Sequence, residues 1–253
     1  MFRLTDYPLI TFVVTFALMW LGTWVGMYLR RHWRADPEQI RDDFGVILGA
    51  TLTLLGLIIG FTFSMATTRY DLRKSLEEEE ANAIGTEYVR VGLLPADATA
   101  KAQSLLVHYT DLRVQFYKTR SLDELNKINA ETSAVQNQLW ETVAAPARAQ
   151  PTTNTMLAAS GMNDVLNSQG YTQAAWWNRI PRAAWTLMFA IAIVSHVLLG
   201  YGAHRKSSFL SIILPVLIAI SFLLIADIDS PRGGIIRVQP QNLSAFAAGL
   251  GQH

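Results

Sequence analysis

Four stretches of this 253-residue chain, 9–29, 44–66, 183–203 and 207–226, contain no Asp, Glu, Lys or Arg. Each reaches the ~18 to 20 apolar residues that a helix rising about 1.5 Å per residue needs to cross a hydrocarbon layer about 30 Å thick. A single run of this kind fits a buried helix of a water-soluble protein; four runs in two close pairs predict four transmembrane helices. Aromatic residues near the run ends, Tyr7, Trp24 and Tyr28 around the first and Trp176, Trp177 and Trp185 ahead of the third, match the headgroup level where amphipathic rings settle. The first run exceeds a secretory signal core of about 7 to 15 residues, and Arg30 and Arg31 follow it without a small-residue cleavage site. It is expected to remain as an anchor.

The charged residues concentrate between the pairs. Only 16% of the chain is charged, against about 25% in soluble domains, and most of that charge lies in 67–182. The expected organisation is a first hairpin at 1–66, a water-facing helical domain at 67–182, a second hairpin at 183–226 and a tail at 227–253. The fold class is therefore all-α. A net charge of +1 gives no basic footprint for nucleic acid, and the absence of cysteine excludes disulfides, thiolate metal sites and thiol catalysis.

Apolar residues in the middle domain recur at three and four residues. Leu72, Leu76, Ala83, Ile84, Tyr88, Val91 and Leu94 form one stripe ending at Pro95. A second helix is expected over 96–118. A third starts at Ser121, with Glu124 in the capping-box position, and runs to about Val143, where Pro146 and Pro151 follow. A fourth begins near Thr153. Nothing breaks the helix between Ala66 and Thr67, so the second span is expected to continue into the domain. After the fourth span, Asp227, Asp229 and Arg232 lie in a tight turn rich in Pro and Gly, with Arg232 close enough in sequence to pair with either carboxylate. A β-prone run, Ile235 to Val238, follows.

The second span carries two GxxxG patterns, Gly45 with Gly49 and Gly56 with Gly60. Small residues four apart let helix backbones approach closely in lipid. Thr53, Gly56, Leu57, Gly60, Phe61 and Ser64 fall on one helical face that holds two hydroxyls. Around a symmetry axis such a face lines a pore, with Leu57 and Phe61 as an apolar constriction; Leu55 and Ile59 are then expected toward lipid. The run Glu77 to Glu80 reads as a solvated helix face, because consecutive helical residues diverge by about 100° and do not chelate one ion. His196, deep in the third span, reads as a hydrogen-bonded packing residue.

Nothing resembles a phosphate-binding glycine loop, a nucleophile elbow or a metal-spaced His/Asp/Glu cluster. No catalysis and no cofactor or metal are expected.

Gly60-Phe61-Thr62-Phe63-Ser64, Arg69-Tyr70-Asp71 with Arg73, Glu80-Ala81-Asn82-Ala83-Ile84-Gly85 and Leu93-Leu94-Pro95, together with the tail from Asp227 to Val238, resemble the bestrophin-like domain family of bacterial membrane proteins. The resemblance runs from the second span to the tail. It implies the architecture of bestrophins proper, which are pentameric anion channels with a pore-lining second helix. It further implies self-association as a pentamer, a lipid bilayer around the spans, and inorganic ions, chloride among them, as cargo. This chain departs from bestrophins proper where Tyr70 and Asp71 follow Arg69 in place of paired tryptophans, and its tail holds no recognisable calcium clasp.

The function expected is a homo-oligomeric ion channel in a bacterial inner membrane. The rival is a sensor or scaffold whose helical domain binds a ligand or partner. Arg30, Arg31, Arg34, Arg41, Arg205 and Lys206 in the short loops outnumber Arg3, Arg232 and Arg237 in the tails. That count places the helical domain outside, whereas a bestrophin arrangement places it in the cytoplasm.

Overall fold

The computed structural model describes residues 4–32, 39–203 and 210–250. Arg3, Arg34, Arg205 and Lys206, which enter the loop count, lie outside the described residues. The elements are α1 (Pro8–His32), α2 (Gln39–Arg90), α3 (Ala96–Lys118), α4 (Leu122–Ala149), α5 (Thr153–Trp177), α6 (Arg182–Gly202), α7 (Leu210–Asp229) and α8 (Gln241–Leu250), with 3-10 turns at Leu4–Asp6 and Val91–Leu93. No strand occurs among the described residues, and the fold is all-α. Four helical segments are long and apolar enough to cross a membrane. The chain forms two compact units, Met1–Arg69 with Arg179–Arg237, and Tyr70–Asn178 with Val238–His253.

In the first unit α1 packs on α6 and α7. The α1–α6 approach depends on missing side chains. A Cβ on Gly26 would sit 2.0 Å from the Val197 carbonyl oxygen, and one on Gly200 would sit 2.0 Å from that of Thr23. Gly22 and Gly26 are themselves a GxxxG pair, so backbone proximity supplies the packing that apolar helices in lipid otherwise lack. Trp185, Phe189 and Phe222 join α6 to α7 through rings 5.1 to 6.2 Å apart.

α2 is one continuous helix of 52 residues. It gives way to a 3-10 turn at Val91–Leu93, and Leu94 is extended, as expected of a residue preceding proline. The Thr99 hydroxyl donates to the Val91 and Leu94 carbonyls at 2.7 and 3.0 Å, satisfying acceptors freed where the helix ends.

The second unit folds around α3, α4 and α5. Ile84, Leu106, Tyr109, Phe116, Leu139, Met162, Val165 and Leu243 are buried in its core. Ser121 caps α4 by accepting from the Glu124 N–H. The Glu124 carboxylate does not close the box: it accepts from the Thr119 hydroxyl, while the Ser121 N–H donates to Thr119 Oγ1 at 3.3 Å. α4 also outlasts its expected end at Val143, because Pro146 falls in the last turn and its own carbonyl still accepts from the Gln150 N–H. Thr152 and Thr155 form a reciprocal capping box on α5.

The tail divides between the units. Instead of a strand, Ile235 and Ile236 donate their N–H groups to the Asp227 carboxylate at 2.8 and 2.7 Å. Beyond Val238, α8 packs on α3, and Phe246 meets Tyr88 edge-on at 6.1 Å.

Candidate functional site

The span portion of α2 has two unlike sides. Thr53, Gly56, Leu57, Gly60, Phe61 and Ser64 are all exposed, Leu57 at 52% and Phe61 at 64%. Gly45 and Gly49 are exposed as well, and a Cβ built on any of Gly45, Gly49, Gly56 or Gly60 meets nothing within 4 Å. The four glycines therefore pack nothing inside the described protomer, in contrast to Gly26 and Gly200. Leu55, Thr62 and Ala66 mark the other side and are buried. This corrects the expectation that Leu55 faces lipid: at 2% exposure it lies inside the first unit. Ile59 is half-buried.

Beyond the span, α2 buries charge. Arg73 donates to the Ala175 and Asn178 carbonyls at 3.3 and 3.4 Å. The run Glu77 to Glu80 is not one solvated face, because its first and last members are three residues apart and turn into the unit. Glu77 accepts from the Leu243 N–H at 2.9 Å and from Asn242 Nδ2 at 2.7 Å, stabilising the first turn of α8. Glu80 forms a fully buried ion pair with Arg113 and also accepts from Tyr117 at 3.4 Å and Thr172 at 3.2 Å. Glu78 and Glu79 remain exposed.

Around that pair, burial opposes charge on Arg113, but the Glu80 carboxylate outweighs it and holds the guanidinium pKa above its usual value. Arg113 also lies over the Phe116 ring, 4.3 Å from its centroid. Burial, reinforced by Glu80, pushes the Tyr109 and Tyr117 phenols up. Both stay neutral at any physiological pH, Tyr117 donating to Glu80 and Tyr109 accepting from Gln136 Nε2 at 3.4 Å.

The turn after α7 is braced rather than open. Asp229 accepts from Arg179 Nε at 3.1 Å and from the Ile180 N–H at 3.1 Å, and Arg179 Nη2 reaches Asp6 at 2.7 Å. Asp227 accepts the Ile235 and Ile236 N–H groups, and Gly234 fits where a Cβ would lie 2.3 Å from the Asp227 carbonyl oxygen. Arg232 is half-buried in the turn. Arg179 is the partner that sequence spacing missed, since it lies 50 residues from Asp229.

His196 is buried, with Nδ1 2.8 Å from the Ala192 carbonyl and its Cβ against Gly22. Among the described residues no group of three or more His, Asp and Glu is placed to hold a metal ion.

Apolar helices of membrane-crossing length joined to a charged helical unit define a multi-pass membrane protein. A family model for the Bestrophin-like domain matches residues 13–243, and the chain belongs to the bestrophin-like family. No curated protein matches. Among solved structures, a tryptophan-to-alanine variant of a bacterial bestrophin homologue from Klebsiella pneumoniae is similar at 17% identity and TM-score 0.65, with 96% of this chain and 95% of that one covered. The homologue phased on zinc and a leucine-to-threonine variant each give 16% identity, TM-score 0.62 and coverage of 95% and 96%. At these identities the likeness is one of fold.

Proposed function

We propose that this protein is a homo-oligomeric ion channel whose α2 helices line the pore. The observation that carries the reading is the exposed face of α2: Thr53, Gly56, Leu57, Gly60, Phe61 and Ser64 are all exposed among the described residues, and two are hydroxyls that a lipid-facing surface does not favour. Copies arranged around an axis, five by family resemblance, bring these faces together, with Gly45 and Gly49 as further close-contact points. Leu57 and Phe61 then form the constriction that ions must pass.

On cargo, resemblance argues for anions such as chloride. A specific observation favours cations: past the span, the exposed charges of α2 are Asp71, Glu78 and Glu79 against Lys74. Reversal potentials under salt gradients in liposomes separate the two. Absence of flux above protein-free liposomes would remove the channel reading and leave the sensor or scaffold, whose helical domain at 67–182 would bind a ligand or partner.

The same reading takes the bilayer to be a bacterial inner membrane, and the short-loop arginines lean toward a helical domain on the outside. A cysteine at Ser104, which is exposed where Gln103 is half-buried, should react with an impermeant thiol reagent on intact cells. Reaction only after lysis reverses the orientation. The post-span turn of Asp227, Asp229 and Arg232 is assigned a structural role in this reading.

A further inference from the structure

Glu87 differs from the other buried carboxylates described on α2, Glu77 and Glu80. It is 0% exposed, and neither carboxylate oxygen has a hydrogen-bond partner. Buried polar groups in native proteins are nearly always paired, so such an exception needs a cause. Glu77 and Glu80 conform to that rule, since each is held by donors from outside α2.

The surroundings of Glu87 are tight. On α5, Gly161 leaves the space that the side chain fills: a Cβ there would lie 1.9 Å from Glu87 Oε2 and 2.7 Å from Arg90 Nη1. Two charged groups face it, Arg90 from α2 itself and Asp164 from α5. Those two are engaged with each other, Nη1 to Oδ2 at 3.9 Å, and Asp164 is largely exposed.

We propose that Glu87 is a proton-operated latch between α2 and α5: protonated, it seats against Gly161, and deprotonated, it draws Arg90 from Asp164 and loosens the helix pair. In the step the carboxylic O–H bond breaks, the proton passes to water or hydroxide, and the carboxylate left behind takes Arg90 as counter-ion. Arg90 already borders that space, Nη1 lying 2.7 Å from the same Cβ position, so it turns from Asp164 to Glu87, and the ion pair linking α2 to α5 is given up as a charge appears buried between the helices. Asp164 releases Arg90 readily, since an exposed pair at this distance contributes little.

The pH range is physiological at its alkaline edge. Burial raises the Glu87 pKa to about 8, with Arg90 pulling it down and Asp164 pushing it up. The folded chain thus holds this proton where an unfolded one releases it. Glu87 therefore favours the folded state at low pH, and that contribution falls as pH rises from about 4.5 and is lost once pH passes about 8. The inference concerns the helical unit alone and stands whether or not the protein conducts ions.

The chain has no native cysteine, so spin labels can be attached at Val89→Cys and Leu157→Cys, both exposed, in the full-length protein in detergent. Between about pH 6 and about pH 10 the distance distribution between labels should shift, with a midpoint near 8. Glu87→Gln, uncharged at both extremes, should give one distribution throughout. Asp164→Asn should move the midpoint to lower pH, because a neighbouring negative charge is removed. An unchanged distribution in the parent, an equal shift in Glu87→Gln, or an unmoved midpoint in Asp164→Asn overturns the latch. Should Glu87→Gln fail to fold, the parent still decides: the infrared band of a protonated carboxylic acid must be present at neutral pH and disappear on alkalisation, and its absence at neutral pH overturns the proposal.

Discussion

The two portions of α2 follow opposite rules on their buried sides. In the span, Leu55, Thr62 and Ala66 face inward and no charge is present; beyond it, Arg73, Glu77, Glu80 and Glu87 face inward among Ala81, Ile84 and Val91. On the exposed sides the contrast inverts, with Leu57 and Phe61 outward in the span and Asp71, Glu78 and Glu79 outward beyond it. A span surrounded by lipid or sister helices gains nothing by turning apolar groups inward, so burial there is decided by shape. The helical unit is surrounded by water, and a charge inside it survives only where the fold supplies partners.

The largest effect that tests this contrast is at the Glu80–Arg113 pair. Glu80→Ala leaves Arg113 charged and buried, and should lower unfolding free energy by about 3 to 5 kcal/mol in denaturant titration. Glu78→Ala, one of the exposed members of the same run, should stay within about 0.5 kcal/mol. Replacing both partners, Glu80→Met with Arg113→Met, should restore much of the loss, since the cost lies in the orphaned charge. Equal losses for Glu78 and Glu80 would mean that the run is solvated throughout.

Intermediate in size is the contrast between two sets of glycines. Gly26→Leu forces a side chain into the Val197 backbone and should destabilise the protomer by about 1 to 3 kcal/mol or prevent its folding. Gly56→Leu or Gly60→Leu meets open space within the protomer. Its monomer stability should hold, while light scattering should report a smaller assembly. An unaltered assembled mass in both Gly56→Leu and Gly60→Leu would remove α2 from the interface.

These cases show where the sequence was legible. Absence of charge locates the spans, because no folding outcome makes a carboxylate cheap in hydrocarbon. The onset of α3 at Ala96 and the cap at Ser121 are local signals, and local chemistry settles them. The continuity of α2 follows from the lack of any breaker after Ala66. Identical motif spelling did not separate Gly22 and Gly26, which meet α6, from Gly56 and Gly60, where an added Cβ meets nothing within 4 Å among the described residues. Likewise four consecutive glutamates carry no sign that the first caps α8 from 166 residues away and the last pairs with Arg113. α8 itself went unread, since a short apolar tail gains its helix from a distant carboxylate. Membership of the bestrophin-like family rests on motif combination and was visible from the chain alone.

The smallest effects on stability belong to the exposed sides, and there function is the readout. Leu57→Ala with Phe61→Ala removes apolar bulk that touches no core, so unfolding should change by less than about 0.5 kcal/mol. If these residues ring a pore, the same change widens it, lowers the barrier to wetting and raises flux in liposomes. On the same reading, Glu78→Gln with Glu79→Gln should leave both stability and opening unaltered but reduce any preference for cations, because acidic charge along the proposed path falls. On the pore reading the two pairs are separable: one would set how much passes, the other which sign. Parent-like flux and selectivity in both pairs, with assembly intact, would place the conducting path away from the exposed face of α2.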